Sequence, residues 1–261
     1  MWNGQQVSVV LMTYAERDSI KDAIEGFLAT GVVDEVLVVD NNAQPGTEEE
    51  VRKTSARLVK ESRQGYGHAT RRGLLEATGE LIVLAEPDGT FVPEDIVKLL
   101  VYSAECDAVF GTRTTWELVW EGANMDWFLR WGNWAVAKLI ELRFNTSHLS
   151  DVGCTYKLLR RETARRVATS MKVGGSHAGA EVMLLTIRSG ARFVQVPVNY
   201  LPRVGRSSVT GNRLMATSVG LRMIGLVLRA AASSPRTRHR PPAFVSERIS
   251  NGQVTREQLT L

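Results

Sequence analysis

The sequence is poor in cysteine: its 261 residues include only two, Cys106 and Cys154. They stand far apart, so they lack the close spacing of a metal-binding pair. Two thiols are also too few for the disulfide framework that stabilises small secreted proteins. We therefore predict two buried free thiols in a reducing, cytoplasmic setting, and no cysteine-based metal site.

Long hydrophobic runs are missing as well. Residues 1–6 are polar, and the apolar run at residues 7–12 is too short for the hydrophobic region of a signal peptide. No stretch of about 18 residues is both apolar and free of charge, as a membrane-spanning helix would have to be. The sequence thus predicts neither a cleaved leader nor a clean membrane span.

Acidic residues are scarce towards the C-terminal end. Residues 201–261 contain ten arginines against two glutamates. Because the whole chain carries a net charge of +4, residues 1–200 carry a net charge of about −4. A nucleic-acid-binding domain would carry its basic residues on the folded surface, so we predict no nucleic-acid partner. A basic end on an acidic body is better suited to an anionic membrane surface.

The rest of the composition is that of one globular domain, with 44% hydrophobic and 23% charged residues. Apolar runs alternate with helical patterns in the first half of the chain. The runs lie at residues 7–12, 35–39 and 81–85, and the helical patterns lie at 17–28, 48–55 and 68–77. This alternation predicts βαβ units around a mostly parallel sheet. The loops after the three strands should then share one crevice at the carboxyl ends.

The middle of the chain is rich in tryptophan, with five of the six between residues 116 and 134. Three of these, Trp127, Trp131 and Trp134, are spaced to share one face of a helix. Such a stripe is typical of a protein core. Tryptophan also collects at membrane interfaces, so both placements stay open.

Residues 212–232 have the pattern of an amphipathic helix, with leucines on one side and Arg222 and Arg229 on the other. Such a helix lies on a membrane surface, packs on the sheet or forms a dimer contact, and a homo-oligomer is left open. Residues 233–261 lack the apolar content to fold and are predicted to be disordered. We therefore expect the main domain to end at residue 211.

Three polar segments could carry chemistry. Glu86 and Asp88 directly follow a buried strand, and their carboxylates suit a hard cation such as Mg²⁺ or Mn²⁺, although an ordinary acidic turn has the same composition. The strand-end residues Asp40 to Asn42 could hydrogen-bond a base or ribose. The glycine-rich segment at residues 63–68 opens a helix, where a phosphate is favoured. Arginines suited to phosphate clamping are Arg113, Arg130, Arg203 and Arg206.

Taken in order, these segments resemble the family 2 inverting glycosyltransferases of GT-A fold. The resemblance is greatest to the branch of dolichyl-phosphate mannose synthase and polyprenyl-phosphate glycosyltransferases, and it covers residues 7–209. The matching blocks are VSVVLMTYAE, EVLVVDNNA, RQGYGHATRRG, the acidic tripeptide EPD, GTR, SDVGCTYKLLRRE and AEVMLLTIRSGARFVQVPVNYLPRVGRSS.

The resemblance implies a metal-dependent transfer of a sugar from a nucleoside-diphosphate sugar, with Glu86 and Asp88 as the ligands of Mg²⁺ or Mn²⁺. Arg113, Arg130 and Arg203 would hold phosphates. The residues that it assigns to the nucleotide sugar are Thr13, Tyr14, Glu16, Asp40, Asn42, Gly67, Glu86, Arg113, Arg130 and Ser207. Three positions depart from the family's pattern: Glu86 replaces an aspartate, Thr90 a frequent glutamine and Asn41 a frequent second carboxylate.

The acceptor implied by this branch is a polyprenyl phosphate, whose ionised oxygen needs no general base. A saccharide hydroxyl would need one, and Asp151 or Glu181 is then the candidate. The expected catalytic residues are Asp88, Asp151, Glu181 and Arg203. The expected location is peripheral, on the cytoplasmic face of a membrane.

Two other classes compete with this interpretation. A nucleotidyltransferase would share the fold but should carry a lysine in a glycine-rich signature near its first strand, where TYAERDS has none. A non-catalytic nucleotide-binding regulator would have no need of the acidic pair.

Overall fold

The structure is a computed structural model that describes residues 1–205 and 213–232. The strands are β1 (Val7–Thr13), β2 (Glu35–Asp40), β3 (Arg57–Lys60), β4 (Leu81–Ala85), β5 (Ala108–Thr112), β6 (Lys157–Arg160) and β7 (Phe193–Pro197). The helices are α1 (Arg17–Ala29), α2 (Thr47–Arg52), α3 (Tyr66–Glu76), α4 (Ile96–Val101), α5 (Trp127–Phe144), α6 (Arg161–Ser170), α7 (Ala178–Arg188) and α8 (Arg213–Ala232).

The seven strands form one sheet in the order β3-β2-β1-β4-β6-β5-β7. All neighbouring pairs are parallel except the two that involve β6. The prediction of a mostly parallel α/β sheet is confirmed, including the three strands and three helices expected in the first half. Strand β3 was not predicted, because its four residues lie at the edge and are mostly half-exposed, so they leave no buried apolar run.

The strand register places the carboxyl ends of β1, β2 and β4 along the same edge of the sheet. Thr13 of β1 pairs with Asp40 of β2, and Leu11 of β1 pairs with Ala85, the last residue of β4. The loops that follow β1, β2 and β4 therefore emerge along one edge of the sheet, as the sequence predicts.

Both faces of the sheet are covered, which explains the continuous apolar strands. In β1, Val9 and Leu11 pack in the hydrophobic cluster with α1 and α4, whereas Val10 and Met12 pack in the cluster with α3 and α5 to α8. Each such buried side chain contributes roughly 1.5–3 kcal/mol of apolar burial. This two-sided core holds the strand ends, and hence their loops, in place.

Helix α5 exposes its tryptophans instead of burying them. The exposed fractions are 64% for Trp127, 59% for Trp131 and 41% for Trp134. Helix α5 meets the core through smaller and later residues, among them Val136 and Ile140. The core placement that the spacing favours is therefore wrong, because these rings point outwards into solvent.

Helix α8 has a buried face and an exposed apolar face. Val227 and Ala230 pack in the core, while Leu214, Leu221 and Leu228 are 80%, 63% and 56% exposed. By length and composition alone, the window Leu214–Ala231 could cross a membrane. It contains Arg222 and Arg229, so it is not the charge-free apolar stretch that the sequence analysis looked for. The predicted disordered tail at residues 233–261 lies outside the described residues.

Gly67 belongs to a close contact between α3 and the segment before α7. Its backbone N–H donates to the carbonyl of Gly174 at 2.8 Å. A Cβ at this position would overlap the carbonyl oxygen of Val173 and approach the Cβ of Ala178 to 2.8 Å. Only glycine permits this approach without moving the backbone.

We expect Gly67→Ala to lower the free energy of unfolding by about 1–3 kcal/mol, the usual effect of overpacking. Urea denaturation would measure it. Gly132→Ala, at a helical glycine where a Cβ would meet nothing within 4 Å, is the matched control and should be neutral or stabilising. Equal stability of the two variants would contradict a steric role for Gly67.

Candidate active site

The loops at the carboxyl edge open into a cavity of about 850 Å³. Its polar half is lined by Thr13, Tyr14, Glu16, Asn41, Gln64, Gly65, Glu86, Arg113, Tyr200 and Arg203. The other half lies between α5 and α8. It is lined by apolar and small residues, which include Phe128, Leu129, Val136, Gly220, Leu221 and Ile224. One cavity thus joins a charged end to an apolar end.

Three carboxylates converge on the guanidinium of Arg203 in the charged end. Its Nη2 lies 3.0 Å from Asp88 Oδ2, 3.3 Å from Glu16 Oε1 and 3.7 Å from Glu86 Oε2. These acids come from the loops after β1 and β4, and Arg203 comes from the chain that follows β7. The sheet edge therefore assembles a cluster whose members lie up to 187 positions apart in the sequence.

The acidic pair fits a divalent cation. Asp88 is fully buried, and its Oδ1 accepts hydrogen bonds from the backbone N–H and the hydroxyl of Thr90. Its Oδ2 faces Arg203 without hydrogen-bond geometry. Burial and then the neighbouring Asp88 raise the pKa of Glu86 to about 8, although Arg203 acts in the opposite direction. A hard cation bound to both carboxylates would relieve this repulsion.

Among residues 1–205 and 213–232, no three His, Cys, Asp or Glu side chains form a metal-binding group. The pair Glu86 and Asp88 alone would therefore leave most of a cation's coordination shell to other oxygens. That is how Mg²⁺ is usually held, by one or two carboxylates together with substrate phosphates and water.

Glu16 holds the loop after β1 in place. Its Oε2 accepts hydrogen bonds from the backbone N–H groups of Tyr14 and Ala15 at 2.7 and 2.9 Å. Its Oε1 faces Arg203. Glu16 therefore lies beside the acidic pair and ties the loop to Arg203.

Arg113 and Asp151 form a buried ion pair. Arg113 donates from Nε to Asp151 Oδ2 at 2.8 Å and from Nη2 to Oδ1 at 3.1 Å, and its backbone N–H also donates to Oδ2. Asp151 accepts two further backbone hydrogen bonds, from Gly153 and Cys154. Burial raises the pKa of Asp151, but Arg113 outweighs this effect and holds the pKa below its ordinary value. Arg113 also lies 4.9 Å from the centre of the Tyr200 ring.

The second candidate base, Glu181, lies outside the lining of the cavity. Its two oxygens accept hydrogen bonds from the backbone N–H groups of Lys172 and Val173, both at 2.9 Å. This carboxylate holds the segment before α7. Like Asp151, it has protein partners for both oxygens.

Several predicted nucleotide-binding residues do not line the cavity. Asp40 accepts a hydrogen bond from the backbone of Ala43 at 2.7 Å, and Asn42 binds the carbonyl of Ser62. Gly67 packs against residues 173–174, and Arg130 lies 3.3 Å over the ring of Trp116. Ser207 lies outside the described residues.

Asn41 lines the cavity, although the sequence analysis named it only within the strand-end segment Asp40 to Asn42 and as a departure from the family's pattern. Its amide donates to the carbonyls of Glu61 and Arg63, and its Oδ1 accepts from the backbone N–H of Gly65 at 2.7 Å. A carboxylate could not make the two donations. Asn41 therefore fixes the glycine-rich turn against the end of β2. The sequence signal for this role is an asparagine at the end of a predicted strand, combined with a glycine-rich segment about 20 residues later in the chain.

The family of the chain follows from comparison with known proteins. Residues 8–167, more than half of the chain, match the model of Glycosyl transferase family 2. The protein is therefore a glycosyltransferase, and it belongs to Glycosyl transferase family 2. The resemblance inferred from the motifs is confirmed.

Named relatives support the same family. An uncharacterized glycosyltransferase of Mycobacterium tuberculosis is 30% identical over 214 residues, which are 80% of this chain and 92% of the relative. The dolichyl-phosphate hexose transferase of Haloferax volcanii is 28% identical, over 78% of this chain and 86% of its own. The undecaprenyl-phosphate mannosyltransferase of Micrococcus luteus is 26% identical, over 86% of this chain and 96% of its own.

A solved structure shares the fold. Glucosyl-3-phosphoglycerate synthase from Mycobacterium tuberculosis, in complex with Mn²⁺, UDP and phosphoglyceric acid, superposes with a TM-score of 0.69 at 18% identity, over 89% of this chain and 80% of that one. The likeness establishes the GT-A fold, as the sequence predicts.

We expect Asp151→Asn to lower the free energy of unfolding by about 3–5 kcal/mol, because it leaves the buried Arg113 without its counter-charge. Guanidinium denaturation would measure the loss. Asp18→Asn, which removes an exposed pair with Arg17, is the control and should cost less than about 1 kcal/mol. A stable Asp151→Asn protein that has lost transfer would favour a general base at this position instead.

Proposed function

We propose that the protein is a divalent-metal-dependent inverting glycosyltransferase that moves a sugar from a nucleoside-diphosphate sugar to a polyprenyl phosphate. The observation that carries this proposal is the two-ended cavity. Its charged end suits a diphosphate and a cation, and its apolar end between α5 and α8 suits a lipid chain. One acceptor that combines both chemistries is a phosphate on a polyprenyl chain.

Glu86 and Asp88 are the residues that would hold the cation. When bound, Mg²⁺ or Mn²⁺ neutralises charge that develops on a leaving diphosphate. The acidic pair fits because its oxygens are hard ligands and one of them, Asp88 Oδ2, is buried without a hydrogen-bond partner in the described structure. The solved synthase of the same fold was obtained with Mn²⁺ and UDP, which supports a divalent cation beside a nucleotide in this fold.

Arg203 and Arg113 are the residues that would meet phosphates in the cavity. Arg203 is half-buried beside the acidic pair, and Arg113 is buried and oriented by Asp151. Oriented guanidinium groups stabilise phosphate oxygens strongly, because little reorganisation is needed when charge develops. Thr13, Tyr14 and Glu16 would position the nucleotide at the end of β1.

A phosphate acceptor removes the need for a general base. Its oxygen is already ionised at neutral pH, so it can attack the anomeric carbon directly and invert it. This suits a site in which Asp151 and Glu181 both have protein partners for their oxygens. Asp151 would then act as a positioning residue for Arg113. The relatives named for dolichyl-phosphate and undecaprenyl-phosphate transfer support this acceptor class.

A membrane surface would deliver such an acceptor. The apolar half of the cavity is walled by α5 and α8, and the same two helices expose Trp127, Trp131, Leu214 and Leu228. Tryptophan and leucine beside arginine are typical of helices that lie in the headgroup region. In the described structure the buried face of α8 packs on the domain, which suits a peripheral position. We propose the cytoplasmic face as the side on which the protein lies.

Transfer to a saccharide hydroxyl is the second candidate. The solved synthase with phosphoglyceric acid shows that this fold also serves a small water-soluble acceptor. The acceptor class is therefore the part of the proposal that most needs a direct test.

For the metal site, we expect Asp88→Asn to lower transfer by at least about a hundred-fold, because it weakens binding of the cation that would neutralise the charge on the leaving diphosphate. Glu86→Gln should be milder. Release of nucleoside diphosphate from UDP-, GDP- and dTDP-sugars, with Mn²⁺ or with chelator, would measure both. The matched control is Glu94→Gln, at an exposed acid outside the cavity.

Full transfer by Asp88→Asn, or transfer that excess chelator leaves unchanged, would overturn the metal-dependent mechanism. A wild-type protein that binds nucleotide sugars and turns over none of them would favour the non-catalytic regulator.

For the acceptor and the membrane, we expect the full chain to co-sediment with anionic liposomes, more weakly at high salt, and to glycosylate a polyprenyl phosphate in preference to a soluble saccharide. The double substitution Leu214→Gln with Leu228→Gln should weaken co-sedimentation at least about ten-fold, because two exposed leucines no longer enter the bilayer. Substitution is cleaner than truncation before α8, since that helix contributes to the core.

Val101→Gln is the control, because Val101 is also exposed but ends α4, which packs on the other face of the sheet. Absence of liposome binding, together with efficient transfer to a saccharide, would replace the lipid phosphate by a hydroxyl acceptor.

A further inference from the structure

Gln195 is a polar residue at a core-facing position of β7. Phe193, two residues earlier on the same face of the strand, packs in the hydrophobic cluster with α3 and α5 to α8. Gln195 is half-buried and pairs in register with Phe110 of β5, which belongs to the same cluster. A neutral amide among apolar side chains is costly unless its hydrogen bonds are made. The partners of Gln195 therefore indicate its role.

Both ends of the Gln195 amide bind the segment that carries Asp151. Its Oε1 accepts hydrogen bonds from the backbone N–H of Ser150 at 2.6 Å and from the Ser150 hydroxyl at 3.1 Å. Its Nε2 donates to the carbonyls of Asp151 at 2.7 Å and of Gly111 at 3.2 Å. Both amide hydrogens are thus used, and one side chain joins β5 to residues 150–151.

The hydroxyl of Ser150 extends this contact to the neighbours of Arg113. It lies 2.8 Å from the hydroxyl of Thr112 and 3.0 Å from that of Thr114. These two threonines flank Arg113 in the sequence, and their own hydroxyls lie 2.9 Å apart. Through Ser150, Gln195 is therefore connected to the residues on both sides of Arg113.

The orientation of Arg113 depends on this arrangement. Arg113 lines the cavity, and Asp151 holds its guanidinium at two points, 2.8 and 3.1 Å away. A two-point contact transmits any movement of the carboxylate to the guanidinium. Because Gln195 holds the main chain at Asp151, its loss would move Arg113 as well. A misplacement of about 1 Å in a binding site lowers rates by up to about a hundred-fold.

We propose that Gln195 is a positioning residue of the transfer site, which acts through Ser150 and Asp151 to hold Arg113 towards the substrate phosphates. Gln195 is not among the described residues that line the cavity, so this role needs no contact with the substrate. The inference rests on one part of the proposed function, the role of Arg113 as a phosphate ligand.

The first experiment measures the steady-state kinetics of Gln195→Leu, per folded molecule. Transfer to a polyprenyl phosphate is followed as release of nucleoside diphosphate, with the UDP-, GDP- or dTDP-sugar that the wild type uses. Leucine has a similar size but makes no hydrogen bond, so kcat should fall about ten-fold while KM changes less than about two-fold, because Arg113 is displaced where charge develops. A kcat equal to that of the wild type would overturn the inference.

Glu35→Gln is the matched control. Glu35 is also a half-buried strand residue with several partners, which include the side chain of Arg57 and the backbone N–H of Thr78, both at 2.8 Å. It lies at the amino end of β2, opposite the edge that carries the cavity. Its substitution should change kcat less than about two-fold. Equal losses of kcat in the two variants would show a general loosening of the sheet and would contradict a positioning role.

A double-mutant cycle tests whether Gln195 acts through Arg113. Arg113→Lys keeps the charge but loses the two-point contact. In that background, Gln195→Leu should lower kcat less than about two-fold, since the orientation that it disturbs is already lost. A further loss of about ten-fold would show independent action and would overturn the inference. Undiminished transfer by Arg113→Lys alone would contradict the proposed phosphate role of Arg113, and the inference with it.

Nitrogen-15 NMR of the Arg113 side chain measures its orientation without reference to activity. Its Nε–H donates to Asp151 Oδ2 at 2.8 Å, so exchange of this hydrogen with water should be slow in the wild type. Gln195→Leu should speed the exchange at least about ten-fold, and Glu35→Gln should leave it unchanged. Equally slow exchange in Gln195→Leu and the wild type would show that Gln195 does not hold Arg113.

Ser150→Ala keeps the test open if Gln195→Leu does not fold. It removes a single hydroxyl, which links Gln195 to Thr112 and Thr114. The fall in kcat and the faster exchange at Arg113 should both recur, at about three-fold each. Absence of both effects in Ser150→Ala would overturn the inference.

Discussion

The charge balance at the end of the sheet is the constraint on which the rest of the site depends. Three carboxylates, from Glu16, Glu86 and Asp88, are brought into a region where water is largely excluded, and Arg203 is the cation that faces all three. Burial and the neighbouring Asp88 both disfavour the ionised form of Glu86, and its pKa is therefore raised. Such a cluster is stable only while positive charge is near. The same excess of negative charge makes the cluster suited to a divalent cation, which could in turn bind the phosphates of a ligand.

A second buried ion pair lies nearby, with a different consequence. Arg113 and Asp151 satisfy each other through a two-point contact, and backbone N–H groups take up the remaining capacity of Asp151. A carboxylate whose two oxygens already accept hydrogen bonds is a poor general base. Asp151 is better placed to hold Arg113 in position. Arg203 offsets only part of the negative charge of the three carboxylates that it faces. Arg113, in contrast, is held in one orientation by Asp151. The site therefore contains one arginine that compensates charge and one that is preorganised.

The apolar end of the cavity lies next to an exposed apolar surface of the domain. Helices α5 and α8 close the larger cavity with small and apolar side chains, and they turn tryptophan and leucine outwards. The exposed apolar rings and leucines form a surface of the kind that marks an interaction site. Because α8 also contributes Val227 and Ala230 to the core, that surface is fixed relative to the acidic cluster. If the proposed lipid-linked acceptor enters from this side, the distance from the membrane surface to the charged end of the cavity is fixed by the fold.

How much could be predicted from the sequence is clearest at individual elements. The apolar runs that become β1, β2 and β4 are visible because two covered faces demand continuous hydrophobic strands, and with them the class of fold and the position of Glu86 and Asp88 follow. The half-exposed strand β3 carries no such signal. The family could be recognised because several short motifs occur in one order, which no single motif would have shown.

Other properties were decided only by the tertiary structure. The spacing of Trp127, Trp131 and Trp134 predicts that they share one face of a helix. It does not indicate whether that face contacts protein or solvent, and the structure shows that it is exposed. The partners of Asp151 and Glu181 are distant in sequence or on the backbone, so no local pattern could show that both carboxylates are engaged. The convergence of Glu16 and Arg203 depends on the pairing of strands far apart in the chain. Local chemistry thus determined which residues could act, and the long-range packing of the sheet decided which of them meet.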